Sequence, residues 1–120
     1  IDNVSIDPAP YVIIPALGEN LNYTYTFPNN SRVLIRVFDI SGRFITSLED
    51  YYYEDSGMVY RDNIMVNNSF DPINTSAWDG RDQLGQIVLP GTYIMHLEVF
   101  NPATGETRTD AAPIVVGVKN

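Results

Sequence analysis

The most regular feature of the chain is an alternation of apolar and polar residues with a period of two. In residues 21–27, every second position is Leu, Tyr or Phe, and the positions between them are Asn or Thr. Residues 32–39 and 92–100 keep the two-residue period less strictly, with predicted inward positions at Val33, Ile35 and Val37 and at Tyr93, Met95, Leu97 and Val99. A period of two places successive side chains on opposite faces of a β-strand, so each segment predicts a strand with one buried face. No segment has sustained helical periodicity, and the predicted fold class is all-β.

Turn-forming residues separate these segments. Pro28-Asn-Asn-Ser31 and Asp39-Ile-Ser-Gly42 have the Pro, Asn, Asp and Gly content that tight turns require. With residues 43–48 returning after the second turn, we expect residues 21–48 to form a three-stranded meander. Shorter apolar runs near both ends bring the total to about seven strands, which predicts a sandwich of two antiparallel sheets around one core.

Residues 50–74 interrupt this pattern, and a structureless loop of that length is uncommon in a compact domain. We therefore predict an insertion over residues 50–73. It forms either a hairpin that pairs residues 58–60 with residues 64–66, or a segment that covers a sheet edge.

Three consecutive tyrosines, Tyr51, Tyr52 and Tyr53, lie in this insertion. In an extended chain Tyr52 would lie on one face and its two neighbours on the other, so at least one ring would be exposed. Exposed aromatic rings stack on sugars or contact protein partners, which makes these residues the predicted binding surface. The alternative is that the rings cover the core beneath the loop.

Composition limits the classes of function. The chain of 120 residues is 44% hydrophobic and 18% charged, which suits one globular domain over residues 1–120. Its net charge of −8 argues against binding to nucleic acid. There is no cysteine, so no disulfide or thiolate zinc site can form, and no apolar run is long enough to cross a membrane. The chain opens at Ile1 without Met or a basic leader, so we expect a domain of a longer protein.

No catalytic arrangement is visible, and we expect no enzyme activity and no cofactor. The single histidine, His96, lies in the middle of a predicted strand, and no nucleophile elbow accompanies it. If the domain does bind a cofactor, the candidate is Ca²⁺, because acidic residues provide hard oxygen ligands in two places. One candidate pair is Asp79 and Asp82, and the other candidate is the group formed by Asp50, Glu54 and Asp55.

Two motifs resemble those of a known family. Residues 33–43 read VLIRVFDISGR, and residues 78–93 read WDGRDQLGQIVLPGTY. They are similar to two signatures of the immunoglobulin-like domain first described in the flagellar hook-capping protein. Relatives occur in C-terminal modules of secreted and surface bacterial proteins, including type IX secretion sorting domains. The resemblance covers about residues 21–118, apart from the insertion, and implies an immunoglobulin-like sandwich and an extracellular or cell-surface location.

The residues of these motifs have structural explanations. A buried Trp fixes sheet packing, a turn Asp accepts bonds from backbone amides, and Gly adopts positive φ without strain. We therefore predict a structural role for Asp39, Gly42, Trp78, Asp79, Gly80, Gly85, Gly91 and Tyr93.

The sequence leaves three functions open. The first is a non-catalytic spacer, anchor or assembly module whose partners are other domains of the same polypeptide. The second is a carbohydrate- or protein-binding module that uses Tyr51–Tyr53. The third is a self-assembling subunit of an extracellular filament or shell.

Overall fold

The computed structural model of the chain describes residues 3–62 and 77–119. Within these ranges, one 3-10 helix (Pro15–Leu17) accompanies eight strands: β1 (Ser5–Pro8), β2 (Val12–Ile13), β3 (Tyr23–Phe27), β4 (Ser31–Asp39), β5 (Phe44–Tyr53), β6 (Gly57–Arg61), β7 (Gly91–Phe100) and β8 (Thr107–Val116). A three-stranded sheet has the order β1-β3-β6, and a five-stranded sheet has the order β2-β8-β7-β4-β5. In the same ranges, no helix has the length and apolarity needed to cross a bilayer.

The two sheets form an immunoglobulin-like sandwich, as predicted, with eight described strands in place of about seven. Alternate residues of β3, β4 and β7 are buried between the sheets, which confirms the two-residue periodicity. The largest fully buried side chains include Trp78, Tyr23, Tyr25 and Phe27. All the strand pairs are antiparallel except β2 and β8, which are parallel.

The predicted meander over residues 21–48 is wrong. Strands β4 and β5 are neighbours in the five-stranded sheet, but β3 lies in the other sheet. Residues 28–30 cross between the sheets, and the Ser31 hydroxyl donates to the Pro28 carbonyl at 2.7 Å at this crossing. The alternation identified the buried face of each strand correctly. It carried no information about which strand would be the hydrogen-bonded neighbour.

The segment assigned to the start of the insertion is strand. Residues 50–53 continue β5, which pairs with β4 as far as Ser31 opposite Tyr53. Residues 57–61 form β6, which pairs with β3. Residues 64–66, the predicted hairpin partner, are outside the part of the chain that the structure describes. Residues 63–73 of the predicted insertion lie outside the described residues.

Different turns and loops form the two ends of the sandwich. At one end, here called the motif pole, lie the turns of residues 39–43, 82–86 and 89–91. At the other end, called the tyrosine pole, lie residues 28–30, 53–57 and 101–106. Strand β1 begins at the tyrosine pole, because Ser5 is opposite Thr26. Strand β8 ends at the motif pole, because Val116 is opposite Gly91.

Trp78 fastens the second motif to the sandwich. It is 1% exposed, and its backbone exchanges two hydrogen bonds with Leu21, just before β3. Its indole Nε1 donates to the Arg81 carbonyl at 2.9 Å, and its ring contacts Tyr93 edge to face at 5.8 Å. The Tyr93 hydroxyl donates to the Leu89 carbonyl. This arrangement is the tyrosine corner found in many immunoglobulin-like domains.

Gly80 and Gly85 both have positive φ in this motif, with values of 81° and 83°. A Cβ at Gly80 would lie 2.3 Å from Pro15 Cγ, whereas a Cβ at Gly85 would meet nothing within 4 Å. Gly80 is therefore required for both conformation and packing, and Gly85 for conformation alone.

These two glycines form a matched pair for measuring packing. We expect Gly85→Ala to lower the free energy of unfolding by about 1 kcal/mol through backbone strain. Gly80→Ala adds overpacking against the Pro15 ring, for a total of roughly 2–4 kcal/mol. Urea unfolding followed by Trp78 fluorescence measures both. Equal losses in the two variants would contradict the packing role of Gly80.

Candidate functional site

The two motifs contain the same turn. In the first copy, Asp39 Oδ1 accepts bonds from the amides of Ser41 and Arg43 at 3.0 and 2.8 Å. In the second, Asp82 Oδ1 accepts bonds from the amides of Leu84 and Gln86 at 2.9 and 3.0 Å. Each turn continues through a glycine of positive φ, three residues after the Asp, as in three-residue hairpin loops.

The Asp39 carboxylate has further partners. Its Oδ1 accepts the Ser41 hydroxyl at 2.7 Å, and its Oδ2 lies 3.2 Å from Arg43 Nε. The hydroxyl bond and the Arg43 amide bond lower the pKa of Asp39 below its ordinary value. The carboxylate is thus ionised and serves the turn, in the structural role that the sequence predicted.

The calcium candidates do not converge in the described structure. Asp79 Oδ1 accepts the Arg81 amide at 3.1 Å, and one oxygen of Asp82 accepts two amides of its own turn. Asp50 pairs instead with Arg32, through two hydrogen bonds of 3.0 and 2.9 Å. Within residues 3–62 and 77–119, no three acidic or histidine residues are grouped so that they could hold a metal ion. Whether the protein works with or without a cofactor stays a prediction.

His96 lies on the outer face of β7. Its ring contacts Phe38 edge to face, with centroids 6.1 Å apart, and it is opposite Arg36 of β4. Its contacts are those of a packed surface residue.

The three tyrosines lie in β5, the edge strand of the five-stranded sheet, and face in different directions. Tyr53 is half-buried and stacks on Phe27 of the opposite sheet, with ring centroids 4.1 Å apart. Tyr51 shares the inner face with Tyr53 but is 59% exposed at the rim, where its ring contacts Tyr53 at 4.8 Å. Tyr52 is on the outer face, 44% exposed, and its hydroxyl donates to Asn30 Oδ1 at 3.3 Å.

Tyr53 therefore covers the core, whereas Tyr51 and Tyr52 are exposed, and their role as a binding surface stays a prediction. The two exposed rings lie on opposite faces of one strand. They border the edge of β5 from both sides and do not form one flat platform.

Glu49 is not among the functional residues predicted from the sequence. It lies on the inner face of β5, opposite Ile35, and is 6% exposed. Its carboxylate accepts the Tyr23 hydroxyl at 2.8 Å and the Tyr25 hydroxyl at 3.2 Å, both from β3. It also accepts Arg61 Nε of β6 at 3.1 Å.

Two further bonds complete this group. The hydroxyls of Tyr25 and Tyr53 lie 2.7 Å apart, and Arg61 Nη2 donates to the Tyr53 hydroxyl at 3.4 Å. The Glu49 cluster, as we name Tyr23, Tyr25, Glu49, Tyr53 and Arg61, therefore joins the two sheets on the side where β5 and β6 lie. In the described ranges, every buried side-chain polar atom has a hydrogen-bond partner.

The protonation states of the cluster follow from its burial. Burial raises the pKa of Tyr23 well above its ordinary value, and the negative charge of Glu49 raises it further. Burial, the hydrogen bond with Tyr53 and Glu49 together raise the pKa of Tyr25 above the usual range. Burial acts to lower the pKa of Arg61, but the charge of Glu49, its hydrogen bond and the neighbouring Tyr25 and Tyr53 together outweigh burial and raise that pKa. The tyrosines are neutral donors and Arg61 is a cation.

Such a cluster is suited to joining the sheets and not to transferring protons, because neither Tyr23 nor Tyr25 loses its proton near neutral pH. The sequence does contain a signal for it. An inward position of β5 is occupied by Glu, and a buried carboxylate requires donors from the facing strand. The tyrosines of β3 are such donors, but the pairing of β5 with β4 had to be known first.

Comparisons with known proteins do not identify a family. No protein-family model and no curated protein matches the chain. Among solved structures, the chain is similar to PorZ, an essential bacterial surface component of the type-IX secretion system of Porphyromonas gingivalis. The TM-score is 0.47 with 16% identity, and the match covers 96% of this chain but 11% of PorZ. A similarity of this size identifies neither family nor function, so the resemblance to the hook-cap domain stays a hypothesis.

The contribution of Glu49 to the free energy of unfolding can be compared with that of Asp50, the next residue in β5. We expect Glu49→Ala to lower the free energy of unfolding by about 3–5 kcal/mol, because Arg61 loses its buried partner. Glu49→Gln keeps an acceptor oxygen and loses less. The control is Asp50→Ala, which removes an exposed pair with Arg32 and costs less than about 1 kcal/mol. Urea unfolding measures all three, and an Asp50→Ala loss as large as that of Glu49→Ala would contradict the cluster's role.

Proposed function

We propose that this domain is a non-catalytic spacer module of a larger secreted or cell-surface bacterial protein, and that its partners are neighbouring domains of the same polypeptide. The observation that carries the proposal is the position of the two ends of the described chain. Strand β1 begins at the tyrosine pole, and β8 ends at the motif pole. A chain that enters at one pole and leaves at the other sets successive domains in a line.

The contacts that the motif residues make within the fold support the same proposal. Asp39 and Asp82 hold turns, Trp78 is buried against Leu21 and Tyr93, and Gly80 approaches Pro15 closely. Their hydrogen bonds are made within the fold, which is the expectation for a scaffold.

The family and the location belong to this proposal as well. The sequences of residues 33–43 and 78–93 resemble the hook-cap type of immunoglobulin-like domain, and relatives of that family are modules of exported bacterial proteins. Fold alone does not determine function, so the end-to-end geometry is the part to be tested first.

A tandem protein tests the spacer geometry. Two copies joined directly, residue 119 of the first to residue 3 of the second, should form an extended particle. The largest dimension from small-angle X-ray scattering should be well above that of a single domain measured in the same way, whose longest extent is 48 Å. A tandem whose largest dimension is near that of one domain would mean side-by-side packing and would contradict the proposal.

A second candidate function is binding of a carbohydrate or a protein through Tyr51 and Tyr52. The observation that favours it is their exposure of 59% and 44% on a strand held by the Glu49 cluster and by the Arg32–Asp50 pair. Rigid, exposed aromatic side chains bind with little loss of side-chain entropy.

This candidate predicts that Tyr51→Ala together with Tyr52→Ala abolishes binding of a ligand identified on a glycan array, measured by calorimetry. The matched control is Tyr11→Ala, since Tyr11 is 61% exposed but lies near β2 at the opposite edge of the sheet. Equal binding by both variants would exclude the β5 surface. Light scattering across a concentration series on the same samples tests the self-assembly alternative, which predicts a rising mass.

A further inference from the structure

We propose that the domain is a load-bearing element that resists tension applied between its N-terminal and C-terminal ends. This inference deepens the proposed spacer function and rests on it. The strands that tension would reach first are β1 and β2 at one end of the chain and β8 at the other.

The first part of the load path is the parallel pair of β2 and β8. Val12 is opposite Val115, and Ile13 is opposite Val116. The Val115 amide donates to the Tyr11 carbonyl at 2.8 Å, and the Gly117 amide donates to the Ile13 carbonyl at 2.9 Å. Tension draws the start of β2 towards the tyrosine pole and the end of β8 towards the motif pole. The two strands must then slide along each other, and these bonds carry the load together and not one after another.

Strand β1 is loaded in the same direction. It runs from the tyrosine pole towards the motif pole, with four residues paired to β3 between Ser5 and Pro8. Pulling its first residue out of the tyrosine pole slides the strand along β3. The hydroxyls of Ser5 and Thr26, 2.8 Å apart, oppose that movement.

A single side chain joins the two loaded ends across the sheets. The Asp110 carboxylate of β8 accepts the Ile6 amide of β1 at 2.9 Å. Because β1 and β8 point the same way and are pulled in opposite directions, sliding of the two strands draws the partners of this bond apart.

The C-terminal strand is held on both sides. Strand β8 lies between β2 and β7, and it pairs with β7 over ten positions, from Gly91 opposite Val116 to Phe100 opposite Thr107. Drawing β8 out of the motif pole therefore loads both of its ladders in shear. Tension applied across one pole would separate the same ladders one bond at a time, so the direction of pulling determines the resistance.

The chain has no native cysteine, so single cysteines can be introduced as attachment points for force spectroscopy. One pair, Asn3→Cys with Lys119→Cys, applies tension from pole to pole. The comparison pair, Ser41→Cys with Lys119→Cys, applies it across the motif pole. At one constant force, we expect the folded lifetime in the first geometry to be at least about tenfold longer. Equal lifetimes, or a longer lifetime in the second geometry, would overturn the proposal.

Variants of Asp110 test the load path itself in the pole-to-pole geometry. Asp110→Ala should shorten the lifetime about fivefold or more, the factor that corresponds to roughly 1 kcal/mol for one lost hydrogen bond. Asp110→Asn keeps an acceptor oxygen and should stay near the unmodified lifetime. Asp50→Ala, which removes an exposed pair on β5 away from the path, should have no effect. An unchanged lifetime for Asp110→Ala would remove this bond from the path.

These outcomes are separate from the test of the spacer role. A tandem that is extended in solution but yields equally in both pulling directions keeps the spacer function and rejects the load-bearing one. A compact tandem rejects the spacer function whatever the lifetimes are.

Discussion

The side of the sandwich between β5 and β6 depends on one buried carboxylate, that of Glu49. A buried charge is costly unless several donors surround it, and here two strands, β3 and β6, supply three donors. A buried ion pair of this kind adds little net stability compared with apolar packing. Its effect is on specificity: a slip of one residue in β5 would turn Glu49 outward and bury Asp50 without partners. The cluster therefore favours a single register of β5 on β4.

That register determines the arrangement of the tyrosine pole. With Glu49 inward, Tyr53 also points inward and stacks on Phe27, while Tyr52 points outward beside Asn30. Tyr51 stands at the rim, supported by Tyr53. The outward direction of Tyr52 thus follows from the burial of a carboxylate three positions earlier in the strand. At the motif pole the equivalent constraints are local, because each Asp binds amides of its own turn and needs no partner from the other sheet.

This difference between local and long-range constraints explains how much the sequence could predict. The strands around residues 21–27, 32–39 and 92–100 depend on neighbours within a few residues, and these predictions are confirmed. The turns held by Asp39 and Asp82 depend on contacts that are equally local. The meander was wrong because alternation gives the buried face of a strand and not its partner. The Glu49 cluster was missed for the same reason, since Arg61, Tyr23 and Glu49 meet only once both sheets are assembled.

The separation of the two edges of the five-stranded sheet also determines whether one domain could both carry load and bind a ligand. The proposed load path runs through β1, β2 and β8, whereas Tyr51 and Tyr52 lie on β5 at the opposite edge of the five-stranded sheet. Strands β7 and β4 stand between them, and sliding of β8 does not require β5 to move. The Glu49 cluster fastens β5 to β3 and β6, so that edge has its own attachment to the core. A ligand on the tyrosines would therefore remain on an undistorted surface while the other edge is under tension.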